Sequence, residues 1–297
     1  MSNFLETYVI HVTKKCNMKC LYCYETNKNS EYDLESLLRL SYKIAENAKD
    51  QKYNIEFLGG EPMLAIDKIE EIINFFNTKY NNVNEFIITT NGTILNDKLF
   101  QLMNQNKNLI FAISIDGTKL MNQLRITKDE QNSFDIVVKN IKTLLSSILD
   151  ASERVTIHMV MHPYNIAYLN DGIEYFYNLG IRCFGLGIVE STIMIGKEFA
   201  QRYISEMYNL SIDIINGKYP NIHISELEAL KPKEDIRTYL KDENNIIVAE
   251  SYGRIEYDIT KTKDYKIEQP SSNVEDFIYS IREVVYNQYQ YLKEINK

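Results

Sequence analysis

The chain has 297 residues, 44% apolar and 25% charged, the balance of an ordinary globule of one large or two modest domains and not of a disordered chain. Its 41 acidic against 33 basic residues give a net charge of -8, which argues against tracking a phosphate backbone, and no nucleic-acid partner is expected. The first residues, MSNFLETYVI, lack a basic stretch followed by a long apolar one, and no run nears eighteen apolar residues; neither signal peptide nor membrane partner is read, and a cytoplasmic enzyme is expected.

In chain order, a β-branched run at 8–13 predicts a first strand that leads directly into CNMKCLYC, which holds three of the four cysteines, Cys16, Cys20 and Cys23. Further strands are predicted at 54–58, running into Gly59, Gly60, Glu61 and Pro62; at 85–90, running into Asn91 and Gly92; at 109–115, running into Asp116; and at 154–161 and 183–189. Helical patterns lie between them near 33–49, 65–79, 95–106, 133–149 and 167–179, with a sixth near 196–216. Such alternation predicts parallel strands joined by right-handed crossovers, with the loops after the strand ends sharing one rim. The cysteines, Gly59, Asn91 and Asp116 fall on that rim. Periodicity alone leaves open both an open six-strand partial barrel and a doubly wound sheet. After about Gly217 the alternation stops; 244–250 and 254–259 flank Tyr252 and Gly253 as a predicted hairpin, and a helix near 273–294 closes the chain.

The CX3CX2C spacing offers three thiolates to one face of a cubic iron-sulfur cluster. Because most four-iron clusters take four cysteines, a compact set of three leaves one iron open to a small molecule. A zinc site made from these cysteines and His11 competes, but zinc loops pair cysteines as C-x2-C with a second pair downstream, and none follows. A disulfide framework fits poorly, since a chain of this length buries a core without staples. Gly59 and Gly60 either admit a ligand to the backbone or shape a tight turn with Pro62 opening the next helix. On the fourth strand alternation sets Ala112, Ser114 and Asp116 against Phe111, Ile113 and Ile115, so Ser114 and Asp116 are expected to point inward. On the fifth, Thr156, His158 and Val160 oppose Ile157, Met159 and Met161; His158 is read either as a hydrogen-bonded structural residue or as a ligand contact.

Taken together, CNMKCLYCYE with Tyr22 before the third cysteine, FLGGEP, TTNGTIL and SIDG resemble the radical S-adenosylmethionine (SAM) superfamily, and within it the SPASM and twitch subgroup of peptide and sulfatase maturases, over about residues 7–190. That resemblance implies an α/β fold: a partial (β/α)6 TIM-like barrel over 1–216, and an α+β capping segment over 217–297. It implies one 4Fe-4S cluster on Cys16, Cys20 and Cys23, and SAM held by Gly59, Gly60, Glu61 and Pro62, with Asn91, Ser114, Asp116, Arg125, His158 and Gly187 as further contacts. The implied activity is reductive cleavage of SAM to a 5'-deoxyadenosyl radical that abstracts hydrogen from a peptide or protein side chain. A reducing partner such as flavodoxin or ferredoxin is implied with it. Alternatives are radical modification of an amino acid, nucleoside or sugar, and an inactive homologue that serves as a binding module. Cys183 sits four residues before Gly187, about 13 Å short of the strand end at ~3.3 Å per residue, and is expected to be a buried apolar thiol and not a hydrogen-atom donor. Gly185 and Gly187 are expected to leave room for an adenine ring. The chain departs from the subgroup in having no cysteine after Cys183. No auxiliary cluster on the usual ligands is expected, the reaction is expected to be redox-neutral overall or to return its electron to the single cluster, and Tyr252, Arg254 and Tyr257 on the hairpin are the candidate substrate contacts. The extra N-terminal module that holds a leader peptide in some maturases is not expected either.

Overall fold

The computed structural model describes residues 5–23, 25, 28–190, 195–229, 256–257, 265–266 and 274–296. Strands β1 (Glu6–Thr13), β2 (Tyr53–Gly59), β3 (Val83–Thr90), β4 (Leu109–Ser114), β5 (Val155–Met161), β6 (Cys183–Ile188) and β7 (His223–Ile224) form a parallel sheet in the order of the chain. Helices α1 (Leu34–Ala48), α2 (Ile66–Lys79), α3 (Asp97–Gln105), α4 (Phe134–Ser147), the single turn α5 (Ala151–Arg154), α6 (Leu169–Leu179) and α7 (Lys197–Ile215) fill the crossovers. A doubly wound sheet reverses strand order at a switch point. Here no reversal occurs, and right-handed crossovers in that order carry the helices that join successive strands to one face, the topology of a partial TIM-like barrel. The expected six strands gain a seventh, β7, only two residues long, which pairs Cys183 with His223 and Phe184 with Ile224. So short a strand carries no alternation for a sequence reading to find.

The described residues group into two compact units. The first takes its residues from 5–115 and 124–156 and holds β1 to β4. Parallel register runs from Glu6 opposite Tyr53 to Thr13 opposite Gly59, and shifts between His11 and Thr13. A shift of this kind bends the strand and re-aims the chain beyond it, here the cysteine loop. Beneath the sheet Phe57 stacks on Phe86 at 6.2 Å, and Ile10, Ile55, Ile88, Phe76 and Ile73 are fully buried beside them. Helix starts follow their caps: the Asp33 carboxylate accepts from Ser36 N–H at 2.8 Å, and Asn96 Oδ1 accepts from Leu99 N–H at 3.0 Å. Arg154, 4% exposed, donates from Nη1 to the carbonyls of Met103, Asn106 and Leu109 and from Nη2 to Asp150, satisfying the chain between α3 and β4.

The second unit takes its residues from 116–123, 157–229 and the described part of 256–296. Helix α6 ends at Gly180, whose φ of 109° is the left-handed stop that glycine adopts without strain. Helix α9 (Val274–Ile295) packs against α7 and against α8 (Ser225–Glu228); its Phe277, Ile278, Ile281, Val284 and Val285 are buried, and Gln290 Nε2 donates to the Leu227 carbonyl at 3.1 Å. The two-residue strands β8 (Glu256–Tyr257) and β9 (Tyr265–Lys266) pair antiparallel. That pairing joins the second arm of the expected hairpin to a later segment, while 244–250, Tyr252 and Arg254 lie outside the described residues, and only the backbone of Tyr257 is described. No helix among the described residues is long and apolar enough to cross a membrane.

Removal of the Phe57 ring empties a fully buried site. Phe57→Ala is expected to destabilise the fold by about 3–5 kcal/mol, read as a lower urea midpoint at unchanged m-value.

Candidate active site

In the first unit β1 delivers the chain into the loop that bears Cys16, Cys20 and Cys23. Lys14 N–H donates to the Ser30 carbonyl at 3.0 Å, and the Cys23 N–H donates to the Cys20 carbonyl at 3.3 Å. The Cys16 sulfur is the most enclosed of the three. It receives the Met18 N–H at 3.4 Å and the Asn91 side-chain amide at 3.9 Å, while Cys20 and Cys23 are half-buried. Burial pushes the Cys16 thiol up from its ordinary range, and the Met18 N–H pulls it part of the way back. A thiol so placed ionises when a metal takes the proton's position on sulfur. Farther along the loop, Lys19 and Leu21 donate their N–H groups to the carbonyls of Ile126 and Leu124, both at 2.9 Å.

The turn after β2 lies directly against this loop. Gly60 N–H donates to the Thr13 carbonyl at 2.9 Å and Glu61 N–H to the Lys15 carbonyl at 2.8 Å. A Cβ on Gly59, whose φ is 148°, would stand 2.0 Å from the Thr13 oxygen; one on Gly60 would stand 2.4 Å from the carbonyl oxygens of Lys14 and Lys15. The space left by both glycines is therefore filled by the cysteine loop's own backbone. Of the two readings of this glycine pair, the tight turn is the one seen on the Cβ side. Pro62 opens a 3₁₀ turn over Pro62–Ala65, as its fixed φ and missing N–H favour.

Glu61 is fully buried and its carboxylate is engaged by the protein. Oε1 accepts from Thr90 Oγ1 at 2.6 Å and Met63 N–H at 3.0 Å; Oε2 accepts from Asn91 N–H at 2.7 Å. Desolvation raises its pKa, against the pull of these donors and of the Arg125 charge. Asn91 in turn donates from Nδ2 to Asn17 Oδ1 at 2.8 Å and accepts at Oδ1 from Thr93 N–H and Oγ1, while Asn17 Nδ2 donates to Thr93 Oγ1. Arg125, 7% exposed, donates from Nη1 to the Tyr22 hydroxyl at 2.8 Å. Within this unit the three cysteines, the GGEP turn, Asn91 and Arg125 are thus brought together. Ser114 ends β4, half-buried; His11 is half-buried on β1.

In the second unit Asp116 is fully buried. Its N–H donates to Asn122 Oδ1 at 3.0 Å and its Oδ1 accepts from Val160 N–H at 3.2 Å. One carboxylate oxygen expected to face a ligand instead clasps the backbone of β5. His158 alternates as expected, half-buried between Ile157 and Met159, but its ring fills the place expected to be open at Gly185: a Cβ there would stand 2.8 Å from His158 Cδ2. At Gly187 a Cβ would meet, among the described residues, only the Met159 carbonyl, at 3.7 Å. Cys183 is the first residue of β6, four residues before Gly187; it is half-buried and not the buried thiol expected, since it stands at the strand's start. Thr90, Thr93, Asn17 and Asn122 carry no signal that sequence reasoning could use; the TTNGT run marks a turn, but nothing in its spacing ties Thr90 to a carboxylate twenty-nine residues earlier. Glu61→Gln keeps the shape but turns an amide N–H₂ toward one of the three donors, and is expected to cost about 1–3 kcal/mol in urea unfolding, with Glu61→Ala costing more.

The donor set fits a four-iron cluster: three thiols in one loop, the deepest with an N–H on its sulfur. Among the described residues no three His, Cys, Asp or Glu side chains converge tightly enough to share one ion; a cluster asks for something different, since each thiolate meets its own iron. Residues 10–176, more than half of the chain, match the family profile of the radical SAM superfamily. The uncharacterized protein MJ0907 of Methanocaldococcus jannaschii is 27% identical over 263 residues, 84% of each chain. A probable GTP 3',8-cyclase of Methanococcus aeolicus is 27% identical over 176 residues, 58% of this chain and 56% of that one. The fold also matches anSMEcpe, solved with bound AdoMet and the Cp18Cys peptide, at a TM-score of 0.65 and 19% identity, over 78% of this chain and 65% of that one. The chain therefore spans less than two thirds of those last two proteins. With the profile running from β1 through the cysteine loop and GGEP turn into α6, this chain belongs to the radical SAM superfamily, an enzyme whose cofactors are a 4Fe-4S cluster and SAM.

Proposed function

We propose that this radical SAM enzyme acts on a peptide or protein side chain, with Cys16, Cys20 and Cys23 holding its cluster and the turn from Gly59 to Pro62 holding SAM. The observation that carries the peptide reading is the likeness of the fold to anSMEcpe, whose crystallised contents are AdoMet and a peptide. Bound there, the cluster and SAM would together supply one-electron chemistry able to remove a hydrogen atom from the substrate. A flavodoxin or ferredoxin is the fitting class of electron donor. The chain itself binds, orients and excludes water. Because the N–H groups of Gly60 and Glu61 are already spent on Thr13 and Lys15, the turn meets an ammonium group with its carbonyl oxygens, which is the polarity a SAM amino group requires. Asn91 and Ser114 stand at strand ends of the same unit as polar contacts. In the second unit, taken by itself, a Cβ on Gly187 would meet among the described residues only the Met159 carbonyl, which leaves room for a flat ring against that strand. The side chains of Glu61 and Asp116 serve as internal clasps in this reading. A second reading, radical chemistry on a nucleotide, is favoured by the GTP 3',8-cyclase relative.

Anaerobic reconstitution is expected to load about four irons per chain, and replacing Cys16, Cys20 and Cys23 together with alanine is expected to abolish the cluster. A residual cluster in the triple variant contradicts the ligand assignment. For the substrate, 5'-deoxyadenosine formation is measured with no addition, with a mixed peptide library and with GTP. The peptide reading expects stimulation by peptides and none by GTP; GTP-dependent consumption of SAM selects the nucleotide reading.

A further inference from the structure

We propose that Arg125 is a positioning residue for the cluster loop, acting through the ring of Tyr22 and not by touching SAM. The proposal rests on the assignment of the cluster to Cys16, Cys20 and Cys23. Segment 124–127 runs alongside the cysteine loop as a short backbone ladder. Lys19 and Leu21 donate to the carbonyls of Ile126 and Leu124, and Met18 bridges antiparallel to Thr127. Residue 125 falls between the two accepting carbonyls, so its position is fixed by main-chain bonds before its side chain is considered. On its other side the Arg125 carbonyl accepts both the N–H of Ser133 at 3.1 Å and its hydroxyl at 2.9 Å. The backbone of Arg125 is therefore held between the cysteine loop and the start of α4.

The side chain uses that fixed origin. Arg125 is 7% exposed, and a buried guanidinium is tolerated only when its charge is met by aimed partners. One is the Tyr22 hydroxyl, at 2.8 Å from Nη1, with the guanidinium carbon 6.0 Å from the ring centroid. Another is electrostatic: the Arg125 charge favours the ionised form of Glu61, the carboxylate beneath the GGEP turn. Tyr22 lies between Cys20 and Cys23, the two half-buried cysteines. Cys16 is buried, with an N–H and an amide on its sulfur. A ring held by a buried guanidinium between the two cysteines restrains the segment that carries them. Lysine, a point charge on a flexible stem, reproduces the charge but not the fork.

The test uses anaerobically reconstituted holoenzyme with Tyr22→Phe, Arg125→Lys and the double variant. It reads iron content, the electron paramagnetic resonance (EPR) signal of the reduced cluster with and without SAM, and kcat and KM for SAM cleavage. Expected are retained iron, the same displacement of the EPR signal in both single variants, and a kcat lowered about 3–10-fold at little-changed KM, the scale of one hydrogen bond's net contribution. The double variant is expected to be no worse than the weaker single, because both changes cut one link. Multiplying losses in the double variant overturn the proposal. So does an Arg125→Lys enzyme whose KM for SAM rises tenfold or more while Tyr22→Phe matches wild type, which instead puts Arg125 on SAM. Should Arg125→Lys not fold, Tyr22→Phe alone decides: an unmoved EPR signal and kcat overturn the proposal. Failure of the ligand assignment is a separate result, read from iron retained after loss of all three cysteines.

Discussion

The arrangement of the site depends on one buried carboxylate. Glu61 sits at zero exposure between the ends of β2 and β3 and accepts from Thr90, Met63 and Asn91, so a single side chain fixes the exit of one strand against the exit of the next. Its own N–H, with that of Gly60, reaches the carbonyls of Lys15 and Thr13. Three consecutive loops of the rim, after β1, β2 and β3, are thereby joined at one residue. Leaving an ionisable group without water costs several kcal/mol, and the three donors with a nearby arginine offset part of that cost, burial remaining the larger effect on its pKa. An apolar residue of similar volume would remove the cost and the junction together.

The junction secures the posture of the cysteine loop. The loop that carries three thiols on eight residues is held to its neighbours by main-chain bonds, from Lys14, Lys19 and Leu21 outward and from Gly60 and Glu61 inward. Gly59 and Gly60 allow the approach from one side, with carbonyl oxygens standing where Cβ atoms would be, and segment 124–127 supplies the ladder on the other. A methyl group on Gly60 would push against backbone, which cannot swing aside as a side chain can. The rigidity serves the chemistry the family carries out, because a reactive radical is useful only where the groups around it hold still and keep water out.

Much of this architecture is legible in the order of the residues. Strand positions follow from β-branched runs ending in glycine or asparagine, since a parallel strand buried by crossovers reads as an apolar stretch with a turn signal. The cysteine spacing is legible because a cluster demands thiolates at fixed separations within one loop. Less legible are the directions of polar side chains. Asp116 and Glu61 look like ligand contacts because they stand on the rim, yet both carboxylates accept backbone N–H groups, and a buried unpaired N–H is costly enough to recruit whichever carboxylate is near. Gly185 misleads in the opposite sense, its open face being taken by His158, a residue twenty-seven positions earlier. Contacts at such separations leave no trace in local pattern, and neither does a two-residue strand such as β7.

The central claim is that one loop gives three thiolates to one cluster and leaves its fourth iron to SAM. Mössbauer spectroscopy of the iron-57 protein, before and after SAM is added, tests it most directly. The account predicts that SAM shifts one iron in four while the other three keep the signature of thiolate-ligated sites. Four irons that respond alike, or a spectrum that SAM leaves unchanged, would contradict it.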